Sequence, residues 1–188
     1  AAVIAGLRGG GRMIADQGGE ATYLGYSMGG RYLIHLALAN PELVRGLVLL
    51  GATAGIDDPA ERAARAEADQ RTAGRLREQG LLTFLQEWVA QPMFAGIPAE
   101  RQYLLERMEN TGLESSLLQS GTGAQDPSWD KLRRLDMPVL VLAGELDDKY
   151  VALGRRLQEA IGSNATFATV PGAGHAAHLE QPEAFLAV

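Results

Sequence analysis

Apolar and polar positions follow two different rhythms along this chain: short continuous apolar runs separated by helical periodicity at both ends, and helical periodicity alone in the middle. Ala21 to Ser27 and Val44 to Leu50 are runs of strand length, and Met28 to Ala39 between them has helix spacing and stops at Asn40-Pro41, where proline cannot continue a helix. The alternation resumes at Pro138. Val139 to Ala143 is wholly apolar, as expected of a parallel strand covered on both faces, Tyr150 to Ile161 reads as a helix, and Ala165 to Val170 as another strand. A glycine-rich loop with two histidines follows. The order β-α-β, then β-α-β-α, predicts an α/β fold, an open parallel sheet flanked by helices with right-handed crossovers, built from residues 1–56 and 137–188.

The middle predicts one long charged helix from Pro59 to about Gln79 and shorter ones over Leu81 to Ala90 and Ala99 to Asn110. An insertion over 57–136, between two halves of a sheet, is expected to form a helical lid. Gly9-Gly10-Gly11 is read as a turn or flexible point within the first helical segment.

That layout gives Gly25-Tyr26-Ser27-Met28-Gly29 its meaning, because the G-x-S-x-G pattern lies at a strand-to-helix turn. Such an elbow forces the serine into a strained conformation above the sheet, and its flanking glycines are expected wherever side chains would collide with neighbouring backbone. A hydroxyl needs a base to become reactive, and the base needs an acid to orient it. Asp147 follows the run Val139 to Ala143, and His175 follows Ala165 to Val170, so Ser27, Asp147 and His175 can meet at the carboxyl edge of the sheet. Asp148 is the alternative acid, and Glu145 lies nearer the strand. His178 is the alternative base, while His35 sits inside the helix after the elbow, facing away from Ser27. The Met28 amide, at the start of that helix, is placed to donate to an oxyanion.

Arg31 falls one turn beyond Ser27. It either holds a substrate carboxylate or is a solvated arginine. Arg62, Arg65, Arg71, Arg75 and Arg77 alternate with acids on the long helix, as on a salt-bridged surface. Trp88 and Phe94 suit a pocket wall or the core of the lid.

Composition narrows the partners. A net charge of −6 with only two lysines among 188 residues argues against a nucleic-acid surface. No apolar run reaches the length of a membrane span, no secretory pattern opens the chain, and the lack of cysteine excludes disulfides and thiolate metal sites. The absence of cysteine suits a reducing cytoplasm, where the protein is expected, and oligomeric state is not legible.

Gly-Tyr-Ser27-Met-Gly-Gly-Arg31, the Asp147 loop and Gly-Ala-Gly-His175-Ala-Ala-His178 resemble the α/β-hydrolase superfamily. Within it, Glu87-Trp88-Val89-Ala90-Gln91-Pro92-Met93-Phe94, Gly121-Thr122-Gly123-Ala124-Gln125 and Gly-Glu-Leu-Asp147-Asp-Lys149-Tyr150 are similar to the menaquinone-pathway 2-succinyl-6-hydroxy-2,4-cyclohexadiene-1-carboxylate synthase family. The resemblance runs from about Thr22 onward. It implies elimination of pyruvate from a small, polyanionic cyclohexene substrate, with Ser27 acting as a base and no metal or organic cofactor required. It also implies that Arg31, Arg65 and Arg107 bind the anion and that Tyr26 and Trp88 line the pocket. A serine carboxylic-ester or C-C bond hydrolase and a non-catalytic hydrolase-like binding protein are the competing readings. This fold usually places several strands before its elbow. The expectation is therefore a chain without those N-terminal strands and without the second oxyanion donor they bring.

Overall fold

The computed structural model describes residues 6–98 and 112–188. Four parallel strands, β1 (Ala21–Tyr26), β2 (Val44–Leu50), β3 (Val139–Gly144) and β4 (Ala165–Val170), form one sheet in the order β1-β2-β3-β4. The expected strands are all present, displaced by at most a residue or two at their ends.

Alternation along the strands divides the core between two faces. Leu47 and Leu49 of β2, with Val139 and Val141 of β3, point into the larger cluster beneath α2 (Met28–Ala39), which contributes Leu33, Ile34, Leu36 and Ala37. Leu157 and Ile161 enter the same cluster from the helix Asp148–Ile161. Leu50, Leu142 and Val170 face the other way, toward Ala173, Ala177 and Phe185. Strands covered on both sides need apolar residues at successive positions, which is why β2 and β3 read as unbroken apolar runs.

The first helix, α1 (Gly6–Gly18), runs straight through Gly9-Gly10-Gly11, so the turn expected there does not exist. A Cβ on Gly10 would overlap the Tyr32 ring, and one on Gly11 would sit 3.2 Å from Leu36 N. These glycines serve close packing of α1 on α2, not flexibility.

Between β2 and β3 the described helices are α3 (Pro59–Gln79), α4 (Leu81–Val89) and α5 (Leu113–Ser120). Asp58 caps α3 by accepting the Glu61 N–H at 2.8 Å, and Pro59 takes the first helical position, where its missing N–H costs nothing. Only Asp69, Ala73 and Leu76 of α3 are buried, in keeping with its charged sequence. Leu76, Phe84 and Leu85 form a cluster of their own, with Trp88, Leu113 and Leu117 packed against it. The helix expected over Ala99 to Asn110 lies outside the described residues. The 3-10 turn Trp129–Arg134 returns the chain to the sheet, burying Leu132 and Leu135 in the main core. After β3 the described α-helices are α6 (Asp148–Ile161), α7 (Ala177–Glu180) and α8 (Pro182–Ala187). No helix among the described residues is long and apolar enough to cross a membrane.

Candidate active site

Ser27 lies at the reversal from β1 into α2 with φ 49° and ψ −111°, and no other non-glycine among the described residues has a positive φ. Such a backbone costs on the order of 1–3 kcal/mol and persists only where its surroundings hold it. Here the Ser27 N–H donates to Leu50 O at 2.8 Å, and Ser27 O accepts the Arg31 N–H at 3.3 Å. A Cβ on Gly25 would lie 2.6 Å from Gly30 N, and one on Gly30 would lie 2.7 Å from the Ala52 Cβ. A Cβ on Gly29 would meet nothing within 4 Å. Of the two glycines flanking the serine in the pattern, steric demand therefore falls on Gly25 alone, and Gly30 takes the part expected of Gly29.

The acid and the base arrive from the ends of β3 and β4. Asp147 divides its oxygens: Oδ1 accepts the Tyr150 N–H at 3.3 Å and caps α6, while Oδ2 lies 2.7 Å from His175 Nδ1. A carboxylate only accepts, so it holds the imidazole proton on Nδ1 and leaves Nε2, 3.2 Å from Ser27 Oγ, as the acceptor. His175 is buried, its ring 5.3 Å from that of Tyr26 and 4.5 Å from that of Tyr150. A Cβ on Gly144 would overlap the carbonyls of Ala173 and Gly174, so this glycine lets the end of β3 approach the histidine loop. Asp148 is exposed on the first turn of α6, and the Glu145 carboxylate accepts the Gly172 N–H at 2.8 Å. His178 makes no hydrogen bond to Ser27. Its ring packs 4.6 Å from that of Tyr26, and burial pushes its pKa below the ordinary value. His35 is on α2 and lines a cleft together with Arg12 and Asp16 of α1. Met28 opens α2, which places its amide at the positive end of the helix dipole.

Arg31 is not a solvated surface residue: it is 7% exposed. Nη1 donates to Gln125 Oε1 at 3.3 Å, and among the described residues the guanidinium has no ion pair. Burial works against its charge and lowers its pKa, an effect that Arg65 reinforces and that Tyr150, Tyr32 and the Asp69 carboxylate oppose. Arg65 is more open, with Nε donating to Asp69 Oδ1 at 2.8 Å. Trp88 stacks on Phe84 with ring centroids 5.5 Å apart and lies 6.5 Å from Phe94, within the cluster of the inserted helices. Tyr26 is held against both histidine rings, and burial raises the pKa of its phenol. Arg107 lies outside the described residues.

Two residues at the site had no role assigned from sequence. Tyr150 packs on His175 and feels the charges of Arg31 and Arg65; its signal was its place three residues beyond the capping Asp147. Gln125, 2% exposed, ends a turn whose Gly123 has no room for a Cβ beside Ala66 of α3, and that close crossing delivers its amide to Arg31.

A serine at a strained strand-to-helix turn, hydrogen-bonded to a histidine that is itself bonded to an acid at the carboxyl edge of a parallel sheet, defines the class of α/β proteins with a Ser-His-Asp arrangement. The chain belongs to the Alpha/beta hydrolase family, whose profile matches residues 1–188. It is 36% identical over 168 residues to the 2-succinyl-6-hydroxy-2,4-cyclohexadiene-1-carboxylate synthase of Enterobacter sp. (strain 638), covering 87% of this chain and 63% of that protein. To the synthase of the same name from Serratia proteamaculans (strain 568) it is 33% identical over 169 residues, covering 87% and 64%. Its fold is similar to that of MenH from S. aureus, with a TM-score of 0.84 and 27% identity over 93% of this chain and 68% of that one. The chain thus spans less than two thirds of the length of these two sequence relatives.

Proposed function

We propose that this protein is a lyase that eliminates pyruvate from a polyanionic cyclohexene substrate, as its resemblance to the 2-succinyl-6-hydroxy-2,4-cyclohexadiene-1-carboxylate synthases implies, with residues 57–136 acting as a lid. The observation that carries the reading is Arg31: a buried guanidinium one helical turn from Ser27, with a neutral amide as its hydrogen-bond partner. A buried charge without a direct ion pair is costly; Asp69 acts on Arg31 only through space while its Oδ1 is bonded to Arg65, and an anionic substrate supplies the direct partner. The family resemblance also gives Arg65, Arg107, Tyr26 and Trp88 a substrate-binding role.

In this mechanism His175 Nε2 accepts the Ser27 hydroxyl proton while Ser27 Oγ removes a proton from a ring carbon. The electron pair of the broken C–H bond forms a new C=C bond, and the C–O bond to the pyruvate group breaks, releasing its enolate. Asp147 stabilises the imidazolium, and the Met28 amide donates to charge that develops on a substrate carboxyl. The same Ser27–His175 spacing of 3.2 Å also suits an acyl-enzyme, which is the mechanism of the competing ester or C-C bond hydrolase.

Turnover of the polyanionic precursor, followed by pyruvate release, separates the two. Ser27→Ala is expected to lower kcat by roughly 10²–10⁴-fold, the usual worth of a positioned acid-base group. Arg31→Ala is expected to raise KM by roughly 10- to 100-fold, as expected for a lost hydrogen bond to a charged group. Hydrolysis of p-nitrophenyl acetate without pyruvate release would reject elimination, and Ser27→Ala with undiminished turnover would reject both enzymes.

A further inference from the structure

We propose that Glu180 is a positioning residue for His175 and couples it to the inserted segment; the proposal rests on the Ser27–His175–Asp147 reading above. Glu180 Oε2 accepts the Gly174 N–H at 2.6 Å, and Oε1 accepts the Ala176 N–H at 2.9 Å. One carboxylate thus grips both amides that flank His175. Bonds from backbone N–H groups to an ionised carboxylate are about twice as strong as neutral ones, so this clamp resists displacement of the loop.

Helix capping alone does not account for the arrangement. The Glu180 N–H donates to Ala176 O at 3.0 Å as an ordinary backbone bond of the helical turn, and the Ala176 N–H donates back to Oε1, which satisfies an amide at the start of α7. That bond uses one oxygen. The other reaches Gly174, outside α7 and on the far side of His175 in sequence.

The carboxylate also touches the insertion. A Cβ built on Gly96 would overlap Glu180 Oε2, so the backbone just after the 3-10 turn Pro92–Phe94 lies directly against it, and the adjoining Ile97 is buried. Glu180 is therefore wedged between the histidine loop and the segment bearing Phe94. The inserted segment and the Nε2–Oγ distance of 3.2 Å are linked through one side chain. Misplacement of a reacting group by about 1 Å can cost roughly 100-fold in rate, so this link is large enough to govern turnover.

Three variants test it: Glu180→Gln, Glu180→Ala and Gly96→Ala, the last leaving the carboxylate chemically intact. Pyruvate release gives kcat and KM, proton NMR reads the strongly downfield line of the Nδ1–H shared by His175 and Asp147, and thermal melting checks folding. Expected is a loss of kcat of roughly 10-fold for Glu180→Gln and for Gly96→Ala, and up to roughly 100-fold for Glu180→Ala. KM should stay within about twofold, since Arg31 is untouched, and the NMR line should broaden or vanish while the fold remains. An unchanged line with kcat near wild type in Glu180→Gln and Gly96→Ala overturns the proposal, as does a rise in KM alone. If the parent protein releases no pyruvate, the lyase reading fails, and the NMR line still decides the role of Glu180. Should Glu180→Ala not fold, Gly96→Ala carries the same test.

Discussion

At the scale of single residues, the elbow shows how a motif and its physical cause can differ. Ser27, Asp147 and His175 were legible because each follows a strand-like run, and a parallel sheet brings the ends of its strands to one edge. The sequence left Asp147 and Asp148 both open as the acid, and what sets Asp147 apart is visible only in three dimensions: one carboxylate both caps α6 and meets His175. The glycines carry the sharper lesson. Gly25 faces backbone atoms within 2.7 Å of a would-be Cβ, whereas Gly29 faces open space. Gly25→Ala is expected to lower stability by about 1–3 kcal/mol or more, because backbone cannot step aside as a side chain can. Gly29→Ala should be neutral or stabilising by up to about 1 kcal/mol, since a helical alanine loses less conformational freedom on folding than glycine. Urea unfolding of the two variants checks this, and equal destabilisation would contradict the steric assignment.

At the scale of elements, strands and helices of strong periodicity were predictable and their contacts were not. The charged helix Pro59–Gln79 has the bounds expected from its proline start and the glycine after its end. By contrast, Gly9-Gly10-Gly11 suggested a turn because glycine weakens a helix when it is judged alone. Packing decided otherwise: α1 lies so close to α2 that the Tyr32 ring occupies the space of a Gly10 side chain, and the Tyr32 hydroxyl is tied to Ser120 Oγ of α5 at 2.6 Å. A methyl group at position 10 must therefore push a buried ring that is anchored at its far end. Gly10→Ala is expected to cost about 1–3 kcal/mol despite alanine's better helix propensity. Adding Tyr32→Phe, which frees the ring, should recover part of that loss in a double-mutant cycle, and strictly additive losses would show that the ring is not the obstacle.

At the scale of the whole molecule, the sheet joins groups 148 positions apart in sequence, and the burial that accompanies this closure sets how stability responds to pH. His178 is packed against Tyr26, and its pKa lies below the ordinary 6.5, first because burial disfavours its charge and also because His175 is near, with Glu180 opposing. Above pH 6.5 it is neutral whether folded or unfolded, so it has no effect on the balance. As pH falls below that value the unfolded chain takes up a proton that the folded one resists, and stability declines until the folded value is passed. Tyr26 and Tyr150 act at the other end: burial raises both above the ordinary 10.0, so above pH 10 the unfolded chain loses protons first and stability falls again. Glu20, exposed and paired with Arg45, has its pKa lowered from 4.5 and makes a small loss only at lower pH. The melting temperature should therefore form a plateau between about pH 6.5 and 10 and slope down on either side. His178→Gln isolates the acid limb: between pH 6.5 and 4.5 the variant should lose less melting temperature than the parent, while the alkaline limb stays as it was. Parallel acid limbs in the two proteins would show that burial of His178 does not drive the acid response.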